Sequence, residues 1–489
     1  LDLPSYEGRS YSERGLWWLV GDAGEAIQMI KLTGRSPENG SLKPGETDDE
    51  YQRTVRRSLK YVLWEGGSAG IVQRITDSFF TPFALVLKAS APQIGLLSAI
   101  PNFAGAVSQL AAPKLVALLG SRKRLLLLAV LLGVLVWLPI AFFPWIFGQT
   151  AVGWFLVLAT LTLLLFQLPS PAWGSWVPQL VSHKHMGGFM AKRGILALVL
   201  SAGIALAAAR WLDIMHNRIF LAFMVVFLVA AAFRLGSLLL FTRVYEPPSP
   251  GKPSSNTGLG AFLRTLPSTN LGRFIGYTMS LSFAANVAGP FFMMFMLQDL
   301  GFSYTTVMLL QMVGLGAHVV GLRFWGAFAD RRGNLLVVKL TAPFAGVLPM
   351  LWLINQSVPY LMVVEVIGGL AWSGWQLCAV NFMYESSRPE DRTRTVAYFN
   401  AFNGAGVLLG ALMGGFLAPF LPRIFAYSLM TLFLMSGVLR LAAAALLLFV
   451  KEVRETPQQL IAKHPLSFRF NIASTYGWPL PPRRNDRDK

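Results

Sequence analysis

The chain has 489 residues, 54% hydrophobic and only 13% charged. Soluble domains carry about 25% charged residues, so this composition excludes an ordinary soluble enzyme and describes an all-α polytopic membrane protein. A net charge of +18 would suggest nucleic acid in a soluble chain, but in a membrane chain basic residues follow topology, and no nucleic-acid partner is expected. The single cysteine, Cys378, rules out an intramolecular disulfide framework.

Residues 1–58 are polar and interrupted and contain no signal-peptide core. Within them "RGLWWLVGDAGEAIQMIKL" (14–32) can form a short amphipathic helix on the membrane surface, with Trp17, Trp18 and Val20 toward lipid. "NGSLKPGETDDEY" then reads as flexible linker. This N-terminal extension is either a docking segment for a protein partner or anionic lipid, or an inert appendage.

Spanning a bilayer takes about 20 apolar residues. Twelve stretches qualify, at roughly 66–87, 93–116, 124–146, 151–172, 194–212, 219–241, 273–297, 304–328, 335–354, 359–381, 396–418 and 425–450. They form a first set of six (59–242) and a second (271–452), joined by a Pro/Gly/Ser-rich linker (243–270) and followed by a basic, Pro-rich tail (453–489). Lys and Arg concentrate in the even-numbered connections, for example Arg122, Lys123, Arg124, Arg331 and Arg332. That bias places those connections, and both termini, in the cytoplasm.

The first span holds Arg74 and Asp77 near its middle, with Glu65 just before it. A charge at the bilayer centre costs roughly 2.5–3.5 kcal/mol on insertion scales. Arg74 and Asp77 share one helix face. Asp77 reads as a proton- or substrate-coupling carboxylate, with Arg74 tuning it or binding an anion, or the two form a structural pair. Glu65 reads as a charge at headgroup level. In the fourth span, "QLPSPAW" contains Gln167 and two prolines that must distort the helix. In the seventh, Asn286, Gly289 and Pro290 mark a candidate break beside a cavity. Glu365 in the tenth span suits a water-filled outer vestibule, and Trp375 and Gln376 lie nearer mid-depth. Trp176 and Trp375 either line a cavity and stack on an organic substrate or merely pack, and Asn400 either lines the cavity or caps the loop motif. His318 reads as a helix–helix hydrogen bond or a proton relay.

The two sets repeat one another. Leu87 pairs with Leu300, Ser90 with Ser303 and Gly120 with Gly333 at one offset, and Trp173-Gly174-Ser175-Trp176 matches Trp372-Ser373-Gly374-Trp375. Such repeats are characteristic of secondary transporters. "GAFADRRG" (326–333) resembles the loop motif of the major facilitator superfamily, Gly-x-x-x-Asp-Arg-x-Gly, although Asn334 and Leu335 stand where the motif continues basic. The first-half copy has Pro113 and Ala117 in place of the Gly and Asp. Residues 171–193 are similar to a bacterial branch of the superfamily whose substrates are poorly defined. The resemblance implies twelve transmembrane helices in two pseudo-symmetric six-helix bundles, in the bacterial inner membrane. It makes Gly326, Asp330, Arg331 and Gly333 a gate motif rather than substrate ligands.

There is no GxxxxGK[ST] phosphate loop, no HExxH pair and no GxSxG elbow. The sequence therefore points away from an ATP-driven pump, an enzyme or a cofactor, and His183 with His185 make only a weak metal pair. The expected function is secondary transport of a small organic solute by alternating access, coupled to protons. Two readings stay open beside it: a transporter-like scaffold or assembly factor, and an uncoupled lipid translocase.

Overall fold

The computed structural model describes residues 48–182, 185–247, 269–387, 392–422 and 424–452. The amphipathic stretch 14–32, most of the linker, His183 and the tail lie outside the described residues. The first helix, α1 (Asp48–Val86), begins inside the segment read as extension and linker. Its early turns carry Tyr51, Val55, Leu59 and Val62, an apolar stripe of helical period that is buried against Trp176, Leu180 and Phe241.

In chain order there follow α2 (Ala91–Ser108), α3 (Ala112–Leu119), α4 (Arg122–Ala141), α5 (Phe143–Phe147), α6 (Val152–Gln167), α7 (Ser170–Leu180), α8 (Met186–Ile214) and α9 (Ile219–Thr242). After the linker come α10 (Asn270–Ala288), α11 (Phe291–Met294), α12 (Tyr304–Arg332), α13 (Asn334–Leu351), α14 (Val358–Glu385), α15 (Arg392–Leu417) and α16 (Ser428–Ala445). Among the described residues, eleven helices are long and apolar enough to cross a membrane, from Ala91–Leu119 to Ser428–Phe449. α1 is not one of these eleven, and it carries Glu65, Arg74 and Asp77.

Local chemistry sets the boundaries. Ser121, Thr269 and Ser303 begin α4, α10 and α12 by accepting from the N–H groups of Arg124 (3.1 Å), Gly272 (3.0 Å) and Thr306 (3.1 Å). Pro169 separates α6 from α7, and Gly289–Pro290 separates α10 from α11. The first internal repeat is visible in the backbone. Lys88 (φ 62°) and Gly301 (φ 63°) adopt the same left-handed turn, and Gly120 (φ 68°) and Gly333 (φ 91°) both take positive φ.

Packing divides the helices into two groups. In the first, α1 packs on α8 and α9, α4 on α9 and α6, and α2 on α6. In the second, α10 packs on α15 and α16, α13 on α16 and α14, and α12 on α14. Each pairing in the first group has a counterpart in the second. Two contacts dominate the join between groups, α2 on α15 and α8 on α12.

Small residues allow the closest approaches, as in membrane helix pairs generally. A Cβ on Gly410 or Gly414 of α15 would lie 2.1 or 2.0 Å from the Phe283 or Val287 carbonyl oxygen of α10. Gly410→Ala and Gly414→Ala must therefore separate two backbones, at about 1–3 kcal/mol each. Both should lower the thermal midpoint of the purified protein, while Gly404→Ala, whose Cβ meets nothing nearer than 3.8 Å, should not.

Candidate functional site

A cavity of about 850 Å³ lies between the two groups. The first group contributes Arg74, Asp77 and Asn102, and the second contributes Asn286, Glu365 and Arg440, with an aromatic and methionine surface from Phe80, Phe292, Met293, Trp352 and Trp372. Its size falls within the usual range for small-molecule sites. Asp77 faces the open space and accepts a hydrogen bond from Gln73 Nε2 at 2.7 Å. Glu365 lies over Gly314, where a Cβ would meet its Oε2 at 2.7 Å. Asn286 Nδ2 donates to the Ser282 carbonyl at 2.9 Å, one turn before the α10 break. His318 and Gln311 also reach the wall. Among the described residues no ion pair joins any of the cavity's charged side chains.

Arg74, Asp77, Asn286 and Glu365 are thus brought together, and five other expected residues lie elsewhere. Trp176 is fully buried within the first group and donates to the Tyr245 carbonyl at 2.9 Å. Trp375 donates to the Tyr277 hydroxyl at 2.7 Å inside the second. Gln167 accepts from Gln109 at 3.1 Å and fills the space over Gly105, tying α6 to α2. Gln376 and Asn400 are exposed away from the cavity lining. In the loop motif, Gly333 is the α12 C-cap with φ 91°, and a Cβ on Gly326 would meet Leu377 at 3.7 Å. Asp330 and Arg331 are exposed and form no ion pair among the described residues.

The charges of the first group arrange differently from expectation. Glu65, expected at headgroup level, is 3% exposed. Its carboxylate accepts from Arg193 at 3.0 Å and from Ser237 at 3.3 Å. It shares a second cavity, of about 310 Å³, with Arg193 and Arg234. The reason is the length of α1, which carries Glu65 past the early apolar stripe and into the helix group.

Arg440 was not anticipated. It is 4% exposed, and its Nη1 and Nη2 donate to the Ala345 (3.0 Å) and Ala285 (3.1 Å) carbonyls. An arginine inside an apolar span is the same signal that singled out Arg74, so "SGVLRLAAAA" carried it.

The ends of the molecule differ. At the end bearing the 87–90 and 300–303 turns, one apolar cluster runs through both groups. There the Asp213 carboxylate of α8 accepts from the Tyr304 and Thr305 N–H groups of α12, both at 2.8 Å. Phe223 meets the Tyr304 ring edge-on at 6.0 Å. At the opposite end the groups carry separate clusters. Among the described residues, no group of three or more His, Cys, Asp or Glu side chains could hold a metal ion.

A membrane-embedded cavity walled by two helix groups and tied at one end is the architecture of a membrane transport protein. The sequence profile of the Major Facilitator Superfamily matches residues 67–383 and 274–478, and the chain belongs to this superfamily, whose members are transporters and not enzymes. Its fold is similar to that of the nucleoside transporter NupG, at 13% identity and a TM-score of 0.59 over 81% of this chain and 97% of that one. It is also similar to a bacterial homologue of the human lysosomal transporter Spinster in an inward-facing, occupied conformation, at 14% identity and a TM-score of 0.60 over 82% and 98% of the two chains. No curated protein sequence matches the chain.

Removing one partner from a buried charge cluster leaves an uncompensated ion, at about 3–5 kcal/mol. Glu65→Ala should therefore sharply reduce the yield of monodisperse protein in size-exclusion chromatography. Arg193→Gln should be milder, because Glu65 then keeps Arg234 in the same cavity and the Ser237 hydroxyl at 3.3 Å, whereas Glu65→Ala leaves Arg193 and the buried Arg234 with no acid between them.

Proposed function

We propose that the protein is a secondary active transporter that moves a small organic solute by alternating access, coupled to protons through Asp77. The observation that carries this is the cavity itself. Both helix groups wall it, and it holds cations and carboxylates that form no ion pair with one another among the described residues. Unpaired charges inside a membrane protein are costly and are retained where they meet ions or substrate. Asp77, exposed in the cavity and near Arg74, would exchange the proton. Glu365 on the facing wall, with Asn286 at the broken helix, would complete the polar surface.

In this reading α1 is the twelfth spanning helix, and the matched pairings of the two groups are those of two pseudo-symmetric bundles. The basic even-numbered connections face the cytoplasm of a bacterial inner membrane, with both termini on that side. The state described is then closed toward the outside by the Asp213 latch and accessible from the cytoplasm. Asp330 and Arg331, exposed here, engage when the cytoplasmic side closes.

In proteoliposomes with an imposed pH gradient, the wild type should accumulate a solute from a mixed organic panel. Asp77→Asn should bind that solute and fail to accumulate it. Transport indifferent to the gradient would instead favour an uncoupled lipid or solute facilitator. An unaffected Asp77→Asn together with loss of cellular function on deleting residues 1–47 would favour a scaffold.

The latch is tested separately. Asp213→Ala removes two charge-assisted hydrogen bonds between the groups, each worth about 1.5–3 kcal/mol. A cysteine placed at Ser98 on the cavity wall should then label severalfold faster with an impermeant maleimide added from outside. The native Cys378 is buried and gives little background. Unchanged labelling would remove Asp213 from the closing contact.

A further inference from the structure

Two arginines occupy matching places in the two groups. Arg234 of α9 and Arg440 of α16 are each on the last long helix of their group, 5% and 4% exposed. Each packs on the third span. Arg234 Nε lies against Gly133 of α4, where a Cβ would come within 3.1 Å, and Arg440 Nη1 bonds the Ala345 carbonyl of α13. Each lies under an aromatic ring of the fourth: Arg234 is 5.0 Å from the Phe166 centroid and Arg440 5.9 Å from that of Trp372.

Their surroundings differ in one respect. Arg234 shares its cavity with the Glu65 carboxylate. At the matching position of the second group, offset as Leu87 is from Leu300, stands the neutral, buried Thr278. Arg440 therefore has the ring and the backbone ties without an acid at that position, and the carboxylates that share its cavity, Asp77 and Glu365, form no ion pair with it.

The backbone ties do not account for the charge. Pro349 has no N–H to give to the Ala345 carbonyl one turn before it, and Arg440 Nη1 supplies the missing donor. A neutral amide would supply one as well. A guanidinium adds a full positive charge inside the membrane, and its Nε is buried with no hydrogen-bond partner. The residue borders the large cavity and not a closed core.

Resting on the transport reading above, we propose that Arg440 is an anion subsite: the solute carries a carboxylate that the guanidinium receives and an aryl or alkyl body that packs on Trp372. The Phe292, Met293 and Trp352 surface beside it suits that apolar body. Arg is the side chain best matched to a planar carboxylate, and stacking on an aromatic ring pre-orients it.

Phenylpropionate, phenylpropionamide and phenylpropylamine provide the test, added to detergent-purified full-length protein and followed by tryptophan fluorescence titration and thermal shift. The acid should bind, and the amide and amine should bind at least tenfold more weakly. Arg440→Gln keeps an amide donor for the freed carbonyl and should weaken the acid by about 10- to 100-fold. Trp372→Leu leaves the carbonyl ties intact and should weaken the acid severalfold. Arg440→Lys should keep the preference for acid over amide at lower affinity, so the proposal stays testable if the glutamine variant does not fold. Equal binding of acid and amide, no binding of the acid up to millimolar concentration, or undiminished acid binding in Arg440→Gln would each overturn it. If the reconstituted protein still transports a neutral or cationic solute, the anion subsite alone fails. If it transports nothing, the transport reading fails with it.

Discussion

Everything in this molecule depends on satisfying polar groups where water is scarce. Helices satisfy their own backbones, but each proline, break and charge inside a span creates a group that must find a partner within the protein. The structure meets these demands locally. Arg440 takes up the carbonyl freed by Pro349, and the Glu65 carboxylate receives Arg193 and Ser237. The Asp213 carboxylate covers two N–H groups at the start of α12, where the helix dipole adds to the attraction. Arg74, Asp77, Glu365 and Arg440, which form no ion pair among the described residues, border one cavity, and the proposed function rests on that contrast.

The duplication extends from sequence to bonding. Beyond the shared turns at Lys88 and Gly301, one acid in each group holds a helix start. Glu246 accepts from the Arg122 N–H at 2.8 Å at the start of α4, and Glu452 accepts from the Leu335 N–H at 3.0 Å at the start of α13. In both groups a carboxylate just past the last helix fixes the beginning of the third, and a lysine reinforces the tie. Lys123 bonds the Thr242 and Val244 carbonyls at 2.7 Å, and Lys339 bonds Val450 at 3.2 Å. These lysines thus brace each group internally.

Much of the fold was legible because its signals are local. Hydropathy located eleven of the spans, the repeat located the matching turns at Leu87–Ser90 and Leu300–Ser303, and Pro169 and Pro290 located breaks. The cavity was legible in part. Arg74, Asp77, Asn286 and Glu365 announced themselves as polar residues inside apolar runs. Trp176, Trp375 and Gln376 misled because depth along a helix can be read from sequence, whereas the direction a side chain faces depends on the neighbouring helix. A tryptophan at mid-depth is equally able to fill a core, and Trp176 and Trp375 both do so with their N–H groups satisfied. Glu65 misled for a related reason: an acid near the start of an apolar run looks interfacial until the helix proves to begin at Asp48.

The glycines of α15 have a mechanical consequence. With Gly410 and Gly414 set against the α10 carbonyls, the two backbones are in contact with no side chain between them. Such a seam resists sliding, because any shift of register drives the neighbouring side chains into carbonyl oxygens. A similar seam joins the groups at one end, where a Cβ on Gly95 would lie 2.6 Å from the Ala411 carbonyl oxygen. The molecule is then stiff within each half and joined near one edge, as two boards are joined by a strap hinge. Under the proposed alternating access, a small rotation at that edge would produce a displacement that grows in proportion to the distance from it, so the largest movement would fall at the far end, where the two groups keep separate cores.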